Sequence, residues 1–244
     1  MVLLPEERYL DLKYKDVPEE QNTYYANKDF MCQRAHTIVS PIPNSDKYSG
    51  EGIFKTSTIN EINVINDEDE NMILDAVGVL IAGGAEVVAL CANGLHRFMP
   101  AISAKYDVEI VDIRDATAKS VQKLGLERVG LIGVKKTMET AFYKDELQNY
   151  SIEAVVPELD SRNYIHEKIL SELVLNQFNS DTRHGFLSVI EELVDNNAQG
   201  VILACTEIPL LLTAKEHYGV ALLSTTEIHC REIVEVALNQ YRDL

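Results

Sequence analysis

Residues 87–98 read VVALCANGLHRF. An apolar run enters Cys91, then the chain turns polar at Asn93 and passes Gly94 to reach His96. Ahead of it, NDEDENMILDAVGVLIAGGAE opens on acids, which suit a helix N-terminus. Ile73, Leu74, Val77, Leu80 and Ile81 recur there at helical spacing until Gly83–Gly84 stop the pattern. Helix, glycine, apolar strand and polar turn make one unit of an α/β fold.

Working outward, the unit repeats. HRFMPAISAKY reads as a helix, with Pro100 near its start, and VEIVDI as a strand. DATAKSVQKLG is a helix closed by Gly125, RVGLIGV a strand, KTMETAFYKDELQNY a helix and IEAVVP a strand. SRNYIHEKILSELVLNQ and HGFLSVIEELVDNNAQG are helices, VILAC is a strand, and PLLLTAKEHY is mostly helical. VALLS is a strand and TTEIHCREIVEVALNQYRDL a closing helix. Apolar strands alternating with helices predict βαβ units and mainly parallel sheets. The first 50 residues are atypical: PEERYLDLKYKDVPEEQ has no clear period, and TIVSPIPNSDKYSGEG suggests a short strand running into a loop.

The decisive echo lies about half a chain length further on. AGGAEVVALCAN and NNAQGVILACTE both run from glycine through an apolar strand to a cysteine and a small polar residue. Two similar α/β domains are expected, residues 1–107 plus 219–244 and residues 108–218. In open α/β sheets, ligands bind outside the carboxyl ends of the strands, where Cys91 and Cys205 both fall. Two thiols flanking one cleft suit the inversion of a carbon next to a carboxylate. That reaction needs a base on one face and an acid on the other, and cysteine serves as either. Asn93 and Thr206 could hold the substrate carboxylate. No metal or cofactor is required if fixed donors stabilise the enolate-like transition state.

Composition narrows the field. The chain has 244 residues, 46% of them hydrophobic and 25% charged, with a net charge of −17. That acidity argues against nucleic acid and anionic membrane surfaces. The four cysteines are widely spaced with no CxxC pair, which argues against a zinc site or a disulfide framework and fits a reducing cytoplasm. The start, MVLLPEERYLDLKYKD, lacks the apolar core of a secretory signal. No apolar run approaches the roughly 18 residues of a membrane helix.

GVILACTEIPLLL resembles the second cysteine motif of the aspartate/glutamate racemase family, and CANGLH the first, commonly C-x-N-T-M-H. GLIGVKKTMETAFYKDEL is similar to the family's middle signature, and the resemblance spans residues 60–244. It implies two Rossmann-like α/β domains with the active site between them, often paired as a homodimer. It also implies cofactor-independent racemisation of a small acidic amino acid. Cys91 and Cys205 would be the acid/base pair, with Asn93, Thr206, Glu207, Thr137 and Lys136 lining the substrate pocket. The chain departs from the pattern in four places. The opening I-G-x-x-G-G-M loop is absent, Gly94 and Val134 replace usual threonines, and Ser224 replaces a usual aspartate. These departures imply altered substrate preference or a catalytically impaired ligand-binding member. A related isomerase or decarboxylase of small dicarboxylates is a further reading. Among lesser signals, His96 is expected on a helix surface, and His229 and His166 in structural roles. The acids 67–70 are expected as a solvated helix start. Cys32 and Cys230 are expected to be structural.

Overall fold

The computed structural model describes Val2–Leu3 and residues 67–240. The readings made for residues 4–66, including Cys32, lie outside the described residues. The elements are β1 (Val2–Leu3), α1 (Asp67–Ala82), β2 (Val87–Ala89), a 3-10 turn (Asn93–Phe98), α2 (Met99–Lys105) and β3 (Glu109–Val111). They continue as α3 (Ile113–Lys123), β4 (Arg128–Ile132), α4 (Lys135–Glu139), α5 (Ala141–Asn149), β5 (Glu153–Val155) and α6 (Leu159–Ser171). Then come a second 3-10 turn (Leu173–Leu175), α7 (Ser180–Asp195), β6 (Gly200–Leu203), α8 (Ile208–Leu211), β7 (Glu216–His217), β8 (Val220–Ser224) and α9 (Thr225–Gln240).

The strands form two sheets, ordered β1-β2-β3 and β5-β4-β6-β8-β7. The pairs β2–β3, β5–β4, β4–β6 and β6–β8 are parallel. The fold is therefore α/β with mainly parallel sheets, as the alternating pattern predicts. β1 is antiparallel to β2, with Val2 opposite Val88. Its carboxyl end thus lies at the opposite edge of the sheet from Cys91.

Alternation explains the packing, because successive strand side chains face opposite ways. Val88 and Leu90 pack among α1 and α2 residues such as Val77 and Ile102, while Val87 and Ala89 meet Val111 and Ile233 of α9. Central β6 does the same in the second sheet. Val201 and Leu203 face the α6–α7 layer, while Ile202 and Ala204 face α3 and α5. Strands buried on both faces read as continuous apolar runs, which is why VILA and VVAL carry no polar alternation.

Sheet membership moves the expected domain bounds. Glu109–Val111 pairs with β2, so it belongs to the first sheet and not to a unit starting at 108. Val220–Ser224 pairs with β6, so it belongs to the second sheet and not to a segment starting at 219. The chain crosses from the first sheet to the second through Asp112, the N-cap of α3. It returns with α9.

Two helical readings also change. KTMETAFYKDELQNY is two helices, because Thr140 is extended (φ −93, ψ 164) between α4 and α5. PLLLTAKEHY is helical only to Leu211. His217 then enters a hairpin whose turn, Tyr218–Gly219, has φ 52 and 80. Two successive positive φ values make the tight turn that matches strand twist, and glycine adopts the second without strain. None of the described helices is long and apolar enough to cross a membrane.

Gly133, just after β4, lies tight against Ala204, just after β6. A Cβ there would sit 2.8 Å from the Ala204 carbonyl oxygen, which is backbone and cannot swing away. Gly133→Ala should therefore destabilise the protein by about 1–3 kcal/mol, read as a lower urea midpoint at unchanged slope.

Candidate active site

The strand ends supply the site, because the parallel strands release their polar turns at the same edge. β2 leads to Cys91 and Asn93, β4 to Lys136 and Thr137, β6 to Cys205, Thr206 and Glu207, and β8 to Thr225. The structure joins these turns by hydrogen bonds across the two sheets. Asn93 Nδ2 donates to Thr225 Oγ1 at 3.0 Å, and Thr225 Oγ1 donates to the Leu203 carbonyl at 3.0 Å. Leu203 lies two residues before Cys205. Thr137 lies against Gly133, which itself abuts Ala204, so the β4 and β6 turns are neighbours. The turn after β2 also packs on α4 and α5. The seven residues singled out from the sequence thus lie in the segments that follow β2, β4 and β6.

The chain of donors fixes the orientation of Asn93. The Leu203 carbonyl can only accept, so Thr225 gives it its single proton and must accept from Asn93 through the amide nitrogen. The Asn93 side chain is 3% exposed, and its Oδ1 has no hydrogen-bond partner. Asn93 Oδ1 is therefore an open acceptor, suited to an ammonium, beside the second N–H of the same amide. Thr137 is fully buried and its Oγ1 is likewise without a hydrogen-bond partner. Buried polar groups are almost always paired, so each of these oxygens is open to a further partner.

The two cysteines differ in surroundings. Cys91 is exposed, while Cys205 is half-buried, and neither is in a disulfide. Cys205 Sγ donates to Glu207 Oε2 at 3.0 Å, and Thr206 Oγ1 donates to Glu207 Oε1 at 2.8 Å. Burial pushes the Cys205 thiol well above its ordinary range, and the neighbouring Glu207 carboxylate pushes it further. Both effects disfavour a thiolate. Glu207, expected to line the pocket, is thus turned toward the thiol and Thr206.

The turn carrying Cys91 is held from several sides. Arg97 donates to the Gly94 carbonyl at 2.8 Å and to Asp69 at 3.3 Å. The acidic start of α1 therefore has a partner and is not only a solvated helix end. Lys136 is half-buried at the start of α4, and its pKa is lowered by burial and by the nearby Arg97 cation. His166 Nδ1 accepts the Lys135 backbone N–H at 3.3 Å, capping α4.

His96 is fully buried, not on a helix surface as expected. Its Nδ1 donates to the Ala92 carbonyl at 3.0 Å, and its Nε2 accepts the Ile113 N–H at 3.1 Å. His229 is also buried and donates through Nε2 to the Val111 carbonyl at 2.7 Å. Below them, Arg114 is paired with Asp112 and donates to the Phe142 carbonyl at 2.9 Å. Thr225, Arg97 and Asp112 were not singled out from the sequence. Thr225 was within reach of the same rule that found Cys205, a polar residue directly after a buried strand.

Residues 56–233 match the model of the Asp/Glu/hydantoin racemase family. The chain belongs to that family. A solved structure from Yersinia pestis, described as a candidate Asp/Glu racemase, is 32% identical with a TM-score of 0.65. It covers 69% of this chain and 74% of its own. An aspartate racemase homologue from Pyrococcus horikoshii OT3 is 29% identical with a TM-score of 0.60, over the same shares of each chain. An uncharacterised protein of the pnlA 3′ region of Pectobacterium carotovorum subsp. carotovorum is 27% identical over 119 residues. That is 45% of this chain and 75% of the relative.

Two expectations follow from the electrostatics of this family member. Glu207→Gln removes the negative charge beside the thiol, so the Cys205 pKa should fall, and its alkylation should begin at lower pH than in the parent. His96 is depressed from 6.5 to about 4, first by burial, so the unfolded state binds its proton over that window and the native state does not. Stability should therefore drop as pH is lowered from about 6.5 towards 4, and His96→Gln should flatten that limb. Urea midpoints measured across the window check it.

Proposed function

We propose that this protein racemises an acidic amino acid, aspartate or glutamate, without a cofactor, by proton transfer at Cα between Cys91 and Cys205. The observation that carries the reading is the junction itself. Two strand-end cysteines from different sheets are carried on segments that the Asn93–Thr225–Leu203 bonds join, in a chain of the racemase family.

In each direction one thiolate takes the Cα proton, the C–H bond breaks and an S–H bond forms, leaving an enolate-like carbanion. The opposite thiol then gives its proton to the other face, and its sulfur is left as thiolate. Asn93 Oδ1 accepts from the substrate ammonium, which is the chemistry its fixed amide leaves open. The Thr137 hydroxyl and the Lys136 cation serve the carboxylates, while the Thr206 hydroxyl holds Glu207. Glu207 acts on Cys205, not as a wall of the pocket. When Cys205 is the base, its own proton must first leave, and the carboxylate 3.0 Å away is the acceptor within reach.

A second reading is ligand binding without turnover. It draws on Gly94, Val134 and Ser224, which stand where the family pattern has threonine, threonine and aspartate. Calorimetric binding without hydrogen exchange at Cα would favour it.

Purified protein incubated with L-aspartate or L-glutamate in deuterated water should incorporate deuterium at Cα and lose optical rotation. Cys91→Ala or Cys205→Ala should each lower racemisation by about 10²–10⁴-fold or more. No exchange with either substrate, in protein shown folded by circular dichroism, ends the reading for both.

A further inference from the structure

The chain crosses from the first sheet to the second at residues 111–113, and two buried histidines grip that crossing. The Val111 carbonyl accepts from His229 at 2.7 Å, and the Ile113 N–H donates to His96 at 3.1 Å. The two rings meet edge to face, 5.7 Å between centroids. His96 also donates through Nδ1 to the carbonyl of Ala92, the residue after Cys91. Carbonyls only accept and an amide N–H only donates, so His96 is confined to one neutral tautomer, with its proton on Nδ1.

We propose that His96 is a positioning residue for Cys91: its ring registers the thiol-bearing turn against the first residue of α3, and through α3 against the sheet that carries Cys205. The ring is planar and rigid, so a donor and an acceptor are presented a fixed distance apart. Neither Ala92 O nor Ile113 N can move without breaking one of the two bonds. α3 in turn packs Ala118 and Val121 against the second sheet's Val129, Leu131 and Ile202. The register of Cys91 is thereby coupled to the face that supports β6. The charged groups facing His96 are Asp112, 4.0 Å from Nε2 at the crossing, and Arg114 on α3, with His229 opposite on α9. Asp112 is occupied by Arg114, leaving Nε2 to the Ile113 N–H. The proposal rests on the racemase reading, because only there do two thiols need a common register.

The bond can be broken from either end. His96→Asn keeps a donor near Ala92 and loses the acceptor for Ile113. Ile113→Pro deletes the N–H while leaving His96 in place. Position 113 is the first residue of α3, where proline is tolerated, and Asp112 (φ −81, ψ 119) already has the backbone that precedes a proline. The first measurement is the alkylation rate of each cysteine, resolved by peptide, which needs no turnover. In both variants the Cys91 rate should change by about fivefold or more while Cys205 stays within about twofold. The second is deuterium exchange from each enantiomer. A displaced Cys91 should lower inversion by about 10²-fold, while the enantiomer deprotonated by Cys205 still exchanges with retention. Equal change at both cysteines, no change at either, or equal loss of exchange from both enantiomers in folded protein overturns the proposal. If the parent protein exchanges neither enantiomer, the racemase reading fails, and the alkylation rates still decide what His96 does.

Discussion

The hydrogen-bonded run from Asn93 through Thr225 to the Leu203 carbonyl is the contact on which the junction depends. Each bond is worth only about 1 kcal/mol net. Its importance lies in direction. One hydroxyl, with one proton, must accept from the first sheet's turn and donate to the second sheet's strand. That single constraint orients the Asn93 amide, sets which of its atoms is left open, and ties the turn after Cys91 to the strand before Cys205. Breaking it would leave buried donors and acceptors unpaired, at a cost of about 1–3 kcal/mol for each group.

Around that run, the two lobes are sewn by polar groups in an apolar setting. The crossing at 111–113 is gripped by His96 and His229, and Arg114 reaches the Phe142 carbonyl in the first turn of α5. Interactions of this kind are strong where water is scarce, and they tolerate few alternative geometries. The apolar core supplies most of the free energy, but it is non-directional. Ile202 or Val88 would be equally buried after a small slip of one lobe on the other. The polar network would not survive that slip. The two cysteines then meet different conditions: Cys91 at an exposed turn, Cys205 half-buried against a carboxylate that keeps its proton on. A pair of thiols alike in sequence context is unlike in chemistry.

Much of this was legible in particular residues. VVALC and VILAC are apolar over their whole length, so they could only be strands covered on both faces, and parallel sheets followed. The polar residues after the two strands then named Asn93, Cys205 and Thr206, and the family resemblance added Thr137, Lys136 and Glu207. Other features had no local signal. Nothing in KTMETAFYKDELQNY announces the break at Thr140, which is an ordinary residue made extended by packing. His96 looked like a surface residue because its burial comes from α3 and α9, distant in sequence.

The sequence by itself determined the class of the fold, the two matched strand-end cysteines and the family, because burial on both faces, glycine stops and the order of motifs are properties of local composition. Only the tertiary structure decided that Glu109–Val111 closes the first sheet and Val220–Ser224 belongs to the second, since strand pairing joins residues far apart in the chain. It also decided that the Asn93 amide nitrogen faces Thr225 and leaves its oxygen open, and that Glu207 faces a thiol. The reason is the same in each case. Which atom of a polar side chain remains open is set by its partners, and those partners arrive from the other sheet or from the next turn only when the chain is folded.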